Sequence, residues 1–301
     1  MTGQLLLADQ PRGVPVERWS VTSGDARLAT AAIGPPGRAA WVLAHGVGSS
    51  ARFITAAFAG PVLAAGHRLV TYDLRGHGAS TPARSVAEHH LDVHAGDLAA
   101  VVASLDGDID VVGGVSLGAH AAVRAVGGGG GPVPDAAAAA VAVAGGAAPR
   151  VVLGCLPAWV GRSVAGTGAH AGMARRVREL GVVAHREAAI SDPGLAPWLR
   201  DALTADLGRH DAASLTAALL ALDGAEAPTL DEVARLVPPL AVLAWDDDPG
   251  HPLAVAERWV TAAGRGHLCR LAVRDLDVGV ERLGRRAVAA VTAVAEAGTA
   301  R

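Results

Sequence analysis

The stretch from Asp110 to Gly118 constrains the fold of this chain more than any other. It is an apolar run that ends in Gly114-x-Ser116-x-Gly118, and an alanine-rich segment of helical character follows directly. A nucleophile elbow consists of a buried strand, a tight turn with a serine between glycines two residues before and after it, and a helix that begins at the next residue. We therefore expect this turn to raise the Ser116 hydroxyl above the edge of a sheet.

The chain before this stretch alternates between strand and helix patterns. Residues 16–23 and 27–33 alternate apolar and polar side chains around a short turn, which predicts an antiparallel hairpin. Buried strands are predicted at 40–44, 68–72 and 108–113, with helices between them at about 51–65 and 91–105. Parallel strands need such crossovers, so the fold class is α/β: a mostly parallel, doubly wound sheet with helices on both faces.

The alternation is interrupted in the second half of the chain. A further buried strand is predicted at 138–144, and residues 149–228 show helical patterns with no clear strand. Strands are predicted again at 239–245 and 268–273, followed by a closing helix at 280–297. The predicted domains are an α/β core formed by 16–148 and 229–297, and a helical insertion formed by 149–228.

Composition narrows the partners that the chain can have. The net charge of −3 provides no basic field for nucleic acid or for an anionic membrane surface. No apolar run is long enough to cross a bilayer, and residues 1–10 lack the features of a secretory signal. We expect a cytoplasmic protein that acts on a small-molecule substrate, and the sequence leaves its oligomeric state open.

The sequence offers no pattern for a metal site or a cofactor. Cys155 and Cys269 lie far apart without zinc-ligand spacing, and we expect both to be small buried side chains. His89, His90 and His94 have spacings that suit a metal, but no fourth ligand is evident and we expect them to be exposed. The prediction is that the protein uses neither a metal nor a cofactor.

Four motifs in order resemble the α/β-hydrolase family over roughly residues 16–297. Each follows a predicted strand, and the fourth lies in an acidic turn. They are His45-Gly46-Val47-Gly48, Asp73-Leu74-Arg75-Gly76-His77-Gly78, Gly114-Val115-Ser116-Leu117-Gly118 and Asp246-Asp247-Asp248-Pro249-Gly250-His251-Pro252. The resemblance implies that 149–228 is a lid over the active site, and that His45 and His77 hold loops together.

The same resemblance assigns roles to individual residues. Ser116 matches the family nucleophile, and the backbone amides of Val47 and Leu117 match the oxyanion hole. Asp248 matches the acid of the catalytic triad best, with Asp246 or Asp247 as alternatives in a different register.

The general base is missing from its expected place. The family carries its triad histidine in the turn after the last strand, and here residues 274–279 contain none, with Asp277 at about that position. His267 precedes the last strand, at the opposite end of the sheet from Ser116. His251 follows Asp248 by three residues, and it reaches Ser116 only if its turn folds inward. His120 lies one helical turn after Ser116, and we expect it to pack rather than to react.

Two functions remain open at this stage. The first is a serine hydrolase that cleaves an ester, thioester or amide of a small apolar molecule through an acyl-enzyme. The alternative is a catalytically weakened or non-hydrolytic protein of the same fold that binds a small ligand or a partner, which the absence of histidine from 274–279 favours. A covalent-aspartate mechanism is disfavoured because a serine occupies the nucleophile position.

Overall fold

One eight-stranded sheet runs through the computed structural model, which describes residues 13–128, 148–162 and 169–299. The strands are β1 Val16–Ser23, β2 Ala26–Ile33, β3 Ala40–Ala44, β4 Arg68–Tyr72, β5 Ile109–Val115, β6 Val151–Cys155, β7 Leu240–Trp245 and β8 Gly266–Leu271. Their order across the sheet is β1-β2-β4-β3-β5-β6-β7-β8. Strand β5 therefore lies near the centre, between β3 and β6.

The pairing directions confirm the predicted fold class. Strand β2 pairs antiparallel with both β1 and β4, so the first two strands form the expected hairpin at the sheet edge. All the other neighbours pair in parallel. The carboxyl ends of β3, β5, β6 and β7 consequently lie along one edge, which is where ligands bind in open parallel sheets.

Helices cover both faces of the sheet in the described part of the chain. They are α1 Ala51–Ala64, α2 Leu91–Ala103, α3 Leu117–Gly127, α4 Ala169–Ile190, α5 Pro197–Leu207, α6 Ala212–Leu222, α7 Leu230–Ala234, α8 Leu253–Ala262 and α9 Glu281–Thr299. Helices α1 and α9 share one apolar cluster with the sheet, and α2, α3 and α8 pack on the opposite face. None of these helices combines the length and the apolar character that crossing a membrane requires.

The prediction that residues 149–228 contain no strand is wrong. Strand β6 lies between β5 and β7, with all five of its residues buried. The sequence pattern does not reveal this strand because its apolar run is short and interrupted by Gly154. In the fold, a Cβ atom at Gly154 would lie 3.0 Å from the ring of Trp259. The strand predicted at 138–144 lies outside the described residues.

The helical patterns predicted after β6 are confirmed. Helices α4, α5 and α6, called the insertion helices below, lie between β6 and β7 in the chain. Helix α4 is divided at Gly181, where φ is 84° and ψ is 166°. An apolar cluster formed by Ala174, Val177, Leu207, Leu215 and Leu219 joins the three helices.

Close packing around the Ser116 turn explains its glycines. A Cβ atom on Gly114 would lie 2.5 Å from the carbonyl oxygen of Ala44, and one on Gly118 would lie 2.3 Å from the same oxygen. Non-bonded contacts this short are repulsive, and relieving them needs a backbone shift. Glycine at both positions is therefore required for β5 and α3 to approach β3.

We expect Gly118→Ala to destabilise the protein by about 1–3 kcal/mol or more, because its methyl group overlaps the backbone of β3. Gly96→Ala in helix α2 is the matched control, since a Cβ atom there meets nothing within 4 Å. Alanine favours helix over glycine by about 1 kcal/mol, so the control should be neutral or stabilising. Urea denaturation of the two variants measures both effects, and equal stabilities would refute the packing argument.

Candidate active site

Ser116 lies in a strained turn between β5 and α3. Its φ is 53° and its ψ is −114°, and its amide donates a hydrogen bond of 2.8 Å to the carbonyl of Cys155. Such a conformation costs a non-glycine residue about 1–3 kcal/mol and persists only where its surroundings enforce it. The strand-turn-helix geometry predicted around Ser116 is thus present, and the role of Ser116 as nucleophile stays a prediction.

His251 and Asp248 complete a relay of three side chains. Nε2 of His251 lies 3.0 Å from Oγ of Ser116, and Nδ1 of His251 lies 2.7 Å from Oδ2 of Asp248. If Nδ1 carries the ring proton and donates a hydrogen bond to the carboxylate, Nε2 is free to accept a hydrogen bond from the hydroxyl of Ser116. The turn after β7 therefore folds inward and brings together three residues that the sequence analysis singled out.

The two neighbouring aspartates hold this turn rather than join the relay. Oδ1 of Asp246 accepts a hydrogen bond of 2.6 Å from Nε of Arg270, and Oδ1 of Asp247 accepts one of 2.8 Å from the amide of Val273. The amide of Asp246 also donates to the carbonyl of Leu271 at 2.8 Å. The alternative assignments of Asp246 or Asp247 as the acid are therefore wrong, because both carboxylates are engaged away from His251.

The Asp248 carboxylate is held in its charged form. Partial burial raises its pKa, but the hydrogen bond and the charge of His251 and the amide of Gly250 outweigh that effect, and the net pKa lies below the ordinary value. The Gly250 amide donates to Oδ1 at 2.7 Å, which leaves Oδ2 for the imidazole. A charged acceptor at this place keeps the ring of His251 in one tautomer.

The other candidates for the base lie away from Ser116. His267 is the second residue of β8 and pairs with Ala241 near the start of β7, at the opposite edge of the sheet from the elbow. Asp277 is exposed in the 3₁₀ helix Val273–Val278. Neither residue lines the cavity above Ser116.

The two predicted oxyanion residues lie on separate elements beside Ser116. Leu117 is the first residue of α3, where the amide has no partner within the helix. Val47 follows Gly46, whose Cβ position lies 3.3 Å from Cβ of Ser116. Both residues line the cavity that contains Ser116. This placement suits their predicted role, which stays a prediction.

A large cavity of about 1200 Å³ opens above the relay. Its volume exceeds the roughly 300–1,000 Å³ of common ligand pockets. Its apolar wall comes from α1, β7 and the insertion helices, and it includes Phe53, Met173, Trp198, Leu199 and Trp245. The ring of Trp198 stacks on Phe53 at 6.3 Å between centroids and lies 6.0 Å from Trp245.

Several further histidines support loops or pack in the core. Nε2 of His45 accepts from the amide of Leu74 at 2.9 Å, and Nε2 of His77 accepts from the amide of Gly48 at 3.1 Å. His120 is buried 5.0 Å from the ring of Trp159, measured between centroids, and accepts from the amide of Ala158. These contacts confirm the structural roles expected of the three imidazoles.

The prediction that the histidines near the start of α2 are exposed is wrong for two of the three. His89 and His94 are buried, with ring centroids 5.6 Å apart, and only His90 is exposed. Nε2 of His89 donates to the carbonyl of Ala83 at 2.9 Å, which draws the ring inward. Among the described residues, no group of three or more His, Cys, Asp or Glu side chains is arranged to hold a metal ion.

Two polar residues of the insertion contact the loop beside Ser116, and no sequence pattern predicts these contacts. Nε2 of His210 lies 3.0 Å from the carbonyl oxygen of Gly48, and Oδ1 of Asp206 accepts from Oγ of Ser50 at 2.8 Å. Each contact joins residues more than 150 positions apart. No local pattern could have revealed them.

Comparison with known proteins relates this architecture to one family. Residues 41–284 match the sequence model of the alpha/beta hydrolase family. The chain has no significant match among curated proteins.

Solved structures show the same fold at low sequence identity. An enol-lactonase from Burkholderia xenovorans LB400 is 16% identical, with a TM-score of 0.69 over 91% of this chain and 100% of the other. A carboxylesterase structure from the thaumarchaeon Nitrososphaera gargenis is 14% identical, with a TM-score of 0.71 over 94% of this chain and 100% of the other. The bottromycin epimerase BotH is 20% identical, with a TM-score of 0.65 over 91% and 99%.

The buried imidazoles generate a prediction for stability against pH. Burial lowers the pKa of His45 and of His210 from 6.5 to about 4, and that of His120 to about 3. Since the unfolded chain binds these protons first, stability is complete above pH 6.5 and falls as the pH drops toward 4. Each imidazole contributes at most about 1.4 kcal/mol per pH unit in that window.

We expect His120→Gln to weaken this pH dependence, because glutamine keeps an acceptor for the Ala158 amide and does not titrate. The measurement is urea denaturation at pH 7 and pH 5 for the variant, the parent and an exposed His90→Gln control. Burial raises the pKa values of the Asp73 and Asp206 carboxyls, and these two groups therefore increase stability as the pH falls. The contribution of His120 is for this reason read from the difference in pH dependence between variant and parent. Identical pH dependences for variant and parent would show that His120 does not contribute.

Proposed function

The chain belongs to the alpha/beta hydrolase family, and from this membership and the geometry around Ser116 we propose that it is a serine hydrolase. The bond cleaved is the ester, thioester or amide of a small apolar molecule, and the route is an acyl-enzyme. The observation that carries the proposal is the relay in which Nε2 of His251 lies 3.0 Å from Oγ of Ser116 and Nδ1 lies 2.7 Å from Asp248.

The reaction begins when Oγ of Ser116 attacks the acyl carbon. A serine hydroxyl is a poor nucleophile until a base removes its proton, and Nε2 of His251 accepts that proton. The Asp248 carboxylate stabilises the imidazolium that forms and fixes its orientation. His251 then returns the proton to the leaving group, and the acyl group stays on Ser116.

The negative charge of the tetrahedral intermediate is held by backbone amides. The amides of Val47 and Leu117 donate to the developing oxyanion in this proposal. Fixed donors of this kind are effective because they need no reorganisation as the charge forms. Water activated by His251 then attacks the acyl-enzyme and releases the acid.

The cavity indicates what kind of substrate is favoured. Its aromatic and aliphatic wall, in which Trp198 stacks on Phe53 and lies tilted against Trp245, favours a bulky apolar acyl or alcohol group. Burial of such a group contributes roughly 25 cal/mol for each Å² of apolar surface removed from water. In this proposal the insertion helices act as the lid, which is supported by Met173, Leu199 and Leu222 lining the cavity.

The absence of histidine from 274–279 no longer favours the non-hydrolytic alternative. That alternative depended on the absence of histidine from 274–279, and His251 lies within hydrogen-bond distance of Ser116 from a different turn. The fold also supports other activities, as the epimerase among the similar structures illustrates. A direct test of Ser116 reactivity is therefore needed.

We predict that a fluorophosphonate probe labels the wild-type protein on Ser116 at neutral pH, because His251 removes the hydroxyl proton. Ser116→Ala should give no labelled peptide in mass spectrometry. A folded wild-type protein that stays unlabelled would reject the serine hydrolase and favour the binding function.

We predict that His251→Ala slows ester hydrolysis and probe labelling by about 10²–10⁴, the usual contribution of a positioned base. His267→Ala is the matched control and should keep wild-type rates, since its ring lies outside the cavity. Stopped assays with a p-nitrophenyl ester measure both variants. Full activity in His251→Ala would exclude His251 as the base.

A further inference from the structure

The loop formed by residues 46–49 is built from both the sheet core and the insertion. It follows β3 and passes so close to Ser116 that a Cβ atom on Gly46 would make a tight contact of 3.3 Å with Cβ of Ser116. The Val47 side chain packs against the core cluster around α2 and α3, and also against the cluster of the insertion helices. The residue proposed to donate to the oxyanion is therefore held between two parts of the molecule.

Three buried imidazoles fix consecutive peptide groups of this loop. Nδ1 of His45 donates to the carbonyl of Gly46 at 2.7 Å, which orients the peptide that carries the Val47 amide. Nε2 of His77 accepts from the amide of Gly48 at 3.1 Å. Nε2 of His210 donates to the carbonyl of Gly48 at 3.0 Å. Only the last of these three imidazoles comes from the insertion.

The ring of His210 is committed at both nitrogens. Its Nδ1 accepts from the amide of Gly78 at 3.2 Å, so Nε2 must carry the proton donated to Gly48. The side chain is buried, and its ring lies 5.1 Å from that of His77, measured between centroids. His210 thereby ties residues 46–49 to the loop after β4, while its own backbone belongs to the connection between α5 and α6.

A second contact of the insertion reaches the end of the same loop. Asp206 accepts from Ser50 at 2.8 Å, and Ser50 caps helix α1 by accepting from the amide of Arg52 at 3.1 Å. Gly48 itself has a φ of +71°, which glycine adopts without the cost that other residues bear. Within the loop the Ser49 amide donates to the carbonyl of Gly46 at 3.2 Å, and the three imidazoles add contacts from outside it.

We propose that His210 is a positioning residue that fixes residues 46–49, and with them the Val47 amide, for stabilisation of the oxyanion. The inference rests on the proposed hydrolase function. It assigns the insertion a second task beside covering the cavity: it supplies one of the polar contacts that shape the oxyanion hole. Loss of His210 should therefore lower kcat more than it raises KM, because the misplaced amide serves the transition state.

The test compares three variants. His210→Leu removes both hydrogen bonds and keeps an apolar side chain of moderate size, and His210→Gln retains one donor and one acceptor. Arg84→Ala is the control: it breaks the exposed ion pair of 3.3 Å with Asp211, which also joins the insertion to the core but does not touch residues 46–49.

We expect His210→Leu to lower kcat for a p-nitrophenyl ester by about 10-fold or more, below the roughly 10²–10³ for outright loss of an oxyanion donor. KM should change much less. His210→Gln should recover part of kcat, and Arg84→Ala should match the wild type. Amide hydrogen exchange of Ser49 and Gly78 should accelerate in His210→Leu, because their loops lose a shared partner.

The outcomes separate the two proposals. A wild type that neither hydrolyses the ester nor takes the fluorophosphonate probe rejects the hydrolase, and the exchange data then still decide whether His210 holds the loop. A folded His210→Leu protein with wild-type kcat and wild-type exchange overturns the role of His210. If His210→Leu fails to fold, the folded His210→Gln protein decides. A kcat lower than that of Arg84→Ala together with faster exchange of Ser49 and Gly78 supports the role. Values of kcat and exchange equal to those of Arg84→Ala refute it.

Discussion

The backbone of Ser116 is the constraint on which the rest of the site depends. A φ of 53° is unfavourable for serine, and here it is enforced on every side: by the Cys155 carbonyl on β6 and by glycines that let β5 and α3 press against β3. Leu156, which follows β6 and lines the same cavity, has a similar φ of 60°. Strain is thus concentrated at the edge of the sheet where the reacting groups meet.

Four of the histidines illustrate two different chemical settings. His251 is half-buried and faces the Asp248 carboxylate, which suits the role of base that is proposed for it. His45, His77 and His210 are buried against backbone groups, and burial lowers the pKa of each. A neutral imidazole offers one donor and one acceptor at a fixed separation, so these rings act as rigid connectors between loops.

Part of the fold follows from sequence patterns, because the short apolar run at 40–44 is a strand whose five residues are all buried. Strands β1, β3 and β4 have the predicted bounds. Strand β6 was missed because five residues that include a glycine give no periodicity, although neighbouring strands bury all of them.

The site was predictable in its parts but not in its assembly. The spacing between Asp248 and His251 allows them to interact, yet the inward path of their turn depends on Arg270 and Val273, which lie 24 and 26 residues beyond their partners. The contact between His210 and Gly48 spans 162 residues. Such long-range contacts are set by tertiary packing, which no short window of sequence contains.

The acid and the base of the relay lie on one short turn, and this has a consequence for how the site can change. Because Asp248 and His251 also hydrogen-bond to each other, their mutual geometry is local and does not depend on two strands keeping their spacing. Exchange of a single turn would remove or restore both groups together. The segment after β8, residues 272–280, contains no histidine, and its Val273 carbonyl accepts a hydrogen bond from the indole of Trp198 at 2.8 Å. Side chains of that segment can therefore be varied to reshape the cavity wall without changing the Asp248–His251 pair, provided that the Val273 amide keeps its hydrogen bond to Asp247.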